Sequence, residues 1–151
     1  MQEAYMKEAI ALAQQGAALG EVPIGAVLVK DDRILAGAHN LCESLHDATA
    51  HAELLAIREA GRMLGDWRLD GCSLYVTAEP CAMCAGAIIN ARISRVYFGV
   101  FEPNTGACGS TVNLFLQTNA YKTTDIYPGV LKAECELLLK EFFRTRRINS
   151  C

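Results

Sequence analysis

The chain has 151 residues, 52% of them apolar, a length suited to one domain (residues 1–151) that buries about two thirds of its unfolded surface. A formal net charge of −3 excludes a chain that coats nucleic acid nonspecifically, because such domains are basic. No run approaches the ~18 apolar residues of a membrane span, and Met1-Gln2-Glu3-Ala4-Tyr5 lacks the basic start of a secretion signal; a cytoplasmic chain with no membrane partner is expected.

From Gln2 to Leu19, apolar residues recur at spacings of three and four, which predicts an amphipathic helix ended by Gly20. Ile24 to Val29 and Ile34 to Ala38 read as two strands of a hairpin turned at Asp31-Asp32. Asn40 to Ala48 is polar and irregular, and it leads into a helix from His51 to about Leu64, with Thr49 or Asp47 as its cap. Leu74 to Thr77 is a third strand. Pro80 opens the next helix, as suits a first helical position. Val96 to Val100 is a fourth strand, followed by a surface loop from Glu102 to Thr111 and a short apolar segment, Val112 to Leu116. A last strand around Thr124 to Tyr127 and a long helix from Val130 to Arg147 close the chain. Strands alternating with helices predict an α/β protein with a mainly parallel sheet between two helical layers, the opening hairpin being its antiparallel part.

The chemistry concentrates in His51-Ala52-Glu53 and Pro80-Cys81-Ala82-Met83-Cys84. Two cysteines three apart at a helix start lie on one face, and the unpaired N–H groups there favour thiolates. Imidazole nitrogen and thiolate sulfur suit zinc, which prefers four ligands in a tetrahedron. His51, Cys81 and Cys84 make three. A site with three protein ligands keeps its fourth position for water, whose pKa falls from about 15.7 to roughly 7. Glu53 is then the general acid/base. A lone C-x-x-C also fits a redox pair or half of a structural zinc knuckle, but the chain has no second C-x-x-C or H-x₃₋₅-H to complete a knuckle. The remaining cysteines, Cys42, Cys72, Cys108, Cys135 and Cys151, are scattered and read as reduced thiols. The order H-x-E then P-C-x-x-C is the signature of zinc nucleobase deaminases.

Several blocks carry a closer likeness: Glu21-Val22-Pro23-Ile24-Gly25-Ala26-Val27, Ala38-His39-Asn40, Thr49-Ala50-His51-Ala52-Glu53, Tyr75-Val76-Thr77, Glu79 to Gly86, and Phe142-Phe143-Arg144-Thr145-Arg146-Arg147. Through them the chain resembles the cytidine deaminase superfamily, and within it the bacterial tRNA-specific adenosine deaminases that convert a wobble adenosine to inosine. The resemblance implies a three-layer α/β/α fold with a central mixed five-stranded sheet. It also implies one Zn2+ per subunit held by His51, Cys81 and Cys84, with proton transfer by Glu53. Asn40, Val22, Ile24, Ala52 and Glu102 would meet the target nucleotide; Phe142 or Phe143 would pack on the anticodon loop, and Arg144 would meet its phosphates. The implied partners are the anticodon stem-loop of a tRNA, an arginine tRNA by resemblance, and a second copy of the chain in a homodimer. Taken alone, Val22 and Ile24 read as core, Asn40 as a turn residue, and the arginines as a solvated last turn. The chain departs from the family at Ala48 (proline there), Glu102 (aspartate) and Tyr121-Lys122-Thr123 (Asn-His-Arg), none of them a zinc ligand. A deaminase of a free base or nucleoside would share the whole zinc site, and a silent zinc-stabilised RNA-binding module would lack a use for Glu53.

Overall fold

A computed structural model describes residues 1–116 and 123–149, with side chains described through Arg146; Tyr121, Lys122, Cys151 and the Arg147 side chain lie outside the described residues. Helix α1 spans Gln2–Ala18 and closes as the sequence predicts. Gly20, at φ +84°, lets its own N–H reach Ala17 O and the Glu21 N–H reach Gly16 O, a Schellman turn. Strands β1 (Gly25–Lys30) and β2 (Arg33–His39) form the hairpin, and both turn residues, Asp31 and Asp32, take positive φ, the geometry that matches strand twist. A short helix α2 (Cys42–Leu45) breaks the stretch read as irregular. The buried Glu21 carboxylate organises it, accepting from the Glu43 N–H at 3.0 Å, the Ser44 N–H at 2.7 Å and the Ser44 hydroxyl at 2.6 Å.

Helix α3 (Ala52–Leu64), strand β3 (Ser73–Ala78), helix α4 (Ala82–Asn90) and strand β4 (Arg95–Val100) follow, then a short 3-10 turn at Leu114–Leu116, strand β5 (Asp125–Tyr127) and helix α5 (Lys132–Asn149). The five-stranded sheet runs β2-β1-β3-β4-β5. Its antiparallel part is larger than the hairpin, because β1 also pairs antiparallel with β3, Ala26 opposite Val76 and Leu28 opposite Leu74. Helix α3 does carry the chain back so that β3 runs parallel to β2. The two strands flank β1 without pairing, so among the described residues the parallel pairs are β3 with β4 and β4 with β5.

Helices α3 and α4 cover one face over Ala26, Leu28, Leu74, Val76, Val96 and Phe98, while α1 and α5 cover the other over Val27, Tyr75 and Val100. Gly25 sits where α1 touches the sheet: a Cβ there would stand 1.9 Å from Ala9 O. Tyr75, Tyr97 and Tyr127, in register across β3, β4 and β5, stack with centroids 4.6 and 4.8 Å apart and hold the short β5 in place. Among the described residues no helix is long and apolar enough to cross a membrane. The sheet directions bring four chain ends to one edge: the entry to β1 and the exits of β2, β3 and β4. Open α/β sheets bind ligands at such an edge.

Candidate metal centre and substrate cavity

At that edge two helices begin, and each begins on a metal donor. His51 is the N-cap of α3, with extended backbone (φ −75°, ψ 149°), and Cys81 is the N-cap of α4 (φ −74°, ψ 176°). Both positions correct the sequence reading, by one residue at His51, which precedes the opening turn, and by two at Pro80, which precedes the cap instead of opening the helix. The extended cap solves a geometric problem. Residues two apart on a regular helix diverge, yet a residue just outside the helix can aim its side chain independently, so His51 and Glu53 line one cavity.

Neither Thr49 nor Asp47 caps α3. Asp47 is spent locally, accepting from the Thr49 N–H at 2.8 Å and its hydroxyl at 2.7 Å. The α3 terminus is served from β2: Asn40 Oδ1 accepts the Ala52 N–H at 2.9 Å. That bond ties the exit of β2 to the metal-binding helix and leaves the Asn40 side-chain N–H₂ for other partners.

His51 Nδ1 stands 3.6 Å from Cys81 Sγ and 3.5 Å from Cys84 Sγ, and the three donor atoms lie within 4.8 Å of one another. A tetrahedral zinc with bonds of about 2.0–2.1 Å to nitrogen and 2.3 Å to sulfur spaces those atoms about 3.6 Å apart. The donor set therefore fits zinc in chemistry and in spacing, one ion per chain. Glu53 lines the cavity beside these donors and stands outside their cluster.

The electrostatics are those of groups packed for a cation. A hydrogen bond from the Cys84 thiol, opposed by burial and helped by His51, pulls the Cys81 thiol down to about 4. The Cys84 thiol is pushed up by that same bond and by burial. The bond to Cys81 raises His51, against burial. Burial raises Glu53, which is only 4% exposed. The protons that the Cys84 thiol and the imidazole hold are those a divalent ion displaces on binding, Cys81 already being a thiolate.

The cavity measures about 390 Å³, within the range of small-ligand sites. Val22 and Ile24 form an apolar wall, and Asn40, Glu102 and Phe143 join His51, Glu53 and Cys81 in the lining. Other expected residues lie off it. Cys84 and Ala52 are fully buried, and the Ala52 N–H is occupied by Asn40. Phe142 is half-buried beneath the Arg146 guanidinium, 4.6 Å from its ring centroid, and Arg146 also donates to Gly20 O. Arg144 is exposed one residue beyond Phe143.

Sequence reasoning gave no role to Glu79, yet it shapes the site. Its buried carboxylate accepts the N–H groups of Glu102 at 2.9 Å, Cys108 at 2.9 Å and Ser110 at 3.1 Å, together with the Ser110 hydroxyl. The loop read as a plain surface connection is thus folded back over the cavity, where Phe101 to Thr105 form a wall. An acid directly before Pro80-Cys81 was the visible signal; its partners, 23 to 31 residues away, were not. Replacing Glu79 with alanine takes the acceptor from three backbone N–H groups, the buried one of Cys108 among them, and costs about 3 kcal/mol, a fall in Tm of roughly 6–12 °C by calorimetry with zinc content unchanged. An unaltered Tm would show that the loop holds itself.

Comparison with known proteins agrees with this geometry. The cytidine and deoxycytidylate deaminase zinc-binding region matches residues 1–100, which include all three donors and Glu53. The tRNA-specific adenosine deaminase of Bacillus subtilis (strain 168) is 49% identical over 145 residues, covering 96% of this chain and 90% of the relative. A solved structure from work on A-to-I editing by tRNA:A34 deaminases at the wobble position superposes with a TM-score of 0.87 at 45% identity, covering 90% of this chain and 99% of that one. The guanine deaminase of Bacillus subtilis gives 0.64, also at 45% identity, over 66% of this chain and 64% of that one. From donor spacing, fold and likeness together, the chain belongs to the cytidine and deoxycytidylate deaminase family, among its tRNA-specific adenosine deaminases.

Proposed function

We propose that residues 1–151 form a single zinc-dependent deaminase domain that converts adenosine to inosine at the wobble position, position 34, of a tRNA anticodon. The observation that carries the reading is a cluster of three donors spaced for zinc, with the buried Glu53 outside that cluster and lining the same cavity of about 390 Å³. Zinc held by His51, Cys81 and Cys84 supplies a Lewis acid that makes water a competent nucleophile at neutral pH.

The chain's own residues do the rest. Val22 and Ile24 pack against the flipped-out base, and the Asn40 amide, fixed by its bond to Ala52, hydrogen-bonds the target nucleotide. Glu53 takes a proton from the attacking water and delivers it to N1 of the purine. It then moves the second proton to the exocyclic nitrogen, which departs as ammonia. Adenosine and water become inosine and ammonia, and Glu53 ends as it began.

The end of α5 favours tRNA over a free base. Phe143 lines the cavity while 44% exposed, and Arg144 beside it is open to phosphates. A tRNA substrate agrees with the cytoplasmic location expected from the sequence. An arginine tRNA and a homodimer follow from the family resemblance, and exposed Leu45 and Met63 leave apolar surface for a second copy. The likeness to guanine deaminase supports the competing reading. One experiment separates the two: inosine formation in a transcript bearing adenosine at position 34, set against ammonia release from guanine, cytosine, cytidine and adenosine. Inosine in the transcript alone is expected. Turnover of a free base without inosine would overturn the reading, and light scattering on the same sample, finding only single chains, would remove the dimer.

A further inference from the structure

We infer that Phe101 contacts the substrate, its ring serving as a fixed platform on which an anticodon-loop base next to the deaminated adenosine stacks. The inference rests on the tRNA reading above and adds a residue that it does not use. A single exposed phenylalanine is ordinary on a protein surface. Three features separate this one.

Its backbone is clamped on both sides by one residue. The Glu79 N–H donates to Val100 O at 2.8 Å, and the Glu79 carboxylate accepts the Glu102 N–H at 2.9 Å, so Phe101 sits between two anchored neighbours. Its ring is held as well, meeting the fully buried Phe98 edge to face at 5.2 Å and 81°. It nevertheless remains 51% exposed and lines the cavity that holds His51, Glu53 and Cys81. A ring ordered in advance loses little further freedom on binding, so its contact converts efficiently into affinity.

The occupant follows from the space. A cavity of about 390 Å³ admits one nucleoside, so the bases on either side of a flipped adenosine are left at the rim, stripped of a stacking partner. Two exposed phenylalanines line that cavity from different elements, Phe143 on α5 and Phe101 at the exit of β4. Splayed bases of single-stranded RNA are held by stacking on aromatic faces. Phe101 is uncharged, so its contribution does not follow the salt dependence of phosphate contacts.

The test uses the whole zinc-loaded protein and an anticodon stem-loop with adenosine at the wobble position. Phe101→Ala should raise KM about tenfold and leave kcat within about twofold, with Phe101→Tyr and Phe101→Trp close to the original protein. Phe101→Leu keeps an apolar cover over Phe98 without a π face; it should behave like the alanine variant in KM while keeping zinc content and Tm. Stem-loops made abasic at one flanking position or the other then identify the base, because on one of them the Phe101→Ala penalty should vanish. A normal KM for Phe101→Leu, or a penalty equally large on both abasic loops, would overturn the inference and leave the tRNA reading standing. Absence of inosine with the unsubstituted protein would remove both.

Discussion

Replacing Glu53 with alanine is expected to lower inosine formation by about three orders of magnitude while the chain retains one zinc. Positioned proton transfer contributes roughly 10²–10⁴-fold, and the proposed mechanism gives one carboxyl both transfers, from water to the purine and then to the leaving nitrogen. The structure separates this loss from a loss of metal. Glu53 stands outside the donor cluster, so its removal leaves His51, Cys81 and Cys84 in place. Unfolding is checked separately, because the carboxyl is buried at a cost and its removal takes that desolvation penalty away, offsetting the packing lost with the side chain. Zinc content by metal analysis, Tm and inosine yield, measured on one preparation, check the three statements. Near-normal inosine from the alanine protein would end the proton-transfer assignment, and missing zinc would make Glu53 a ligand.

Cys84→Ala should act through the metal. Zinc falls from one per chain to near zero at micromolar zinc, and inosine formation falls below detection. Cys84 is fully buried at the start of α4, so no solvent-exposed donor can swing into its place, and two protein donors remain where a catalytic zinc needs three. The variant should also lose the response of Tm to zinc. For the unsubstituted protein, an ion present at a thousand times its dissociation constant adds about 4 kcal/mol of stability. Thermal melts with and without a chelator measure that difference. A Cys84→Ala protein with full zinc content and an unchanged response would remove Cys84 from the ligand set.

The elements were legible because their signals are local. Apolar spacing marks α1 and α5, Asp31-Asp32 marks the hairpin, and Gly20 and Gly65 sit just beyond α1 and α3, as C-terminal glycines do. The hidden features each involve a partner distant along the chain. Helix α2 was missed because four residues carry no periodicity, and what orders it is Glu21, more than twenty residues upstream. The α3 cap was misassigned because Asp47 and Thr49 satisfy each other, leaving Asn40, twelve residues away, to bond Ala52. The antiparallel join of β1 to β3 was missed because alternation of strands and helices reports direction and says nothing of which strands are neighbours.

By itself the sequence determined the chemistry: one imidazole, two thiols at a spacing that a helix start gathers on one face, a carboxylate two residues from the imidazole, and the strands and helices to carry them. Donor type and short spacing are properties of adjacent residues, so they survive without a fold. Tertiary structure alone decided how the site is held and what surrounds it: His51 turned out of α3 by the Asn40 bond, the 102–110 loop drawn over the cavity by Glu79, and Phe101 clamped at the rim. Those arrangements depend on buried acceptors meeting backbone N–H groups from other parts of the chain, and such pairings exist only once the sheet has brought its four chain ends together.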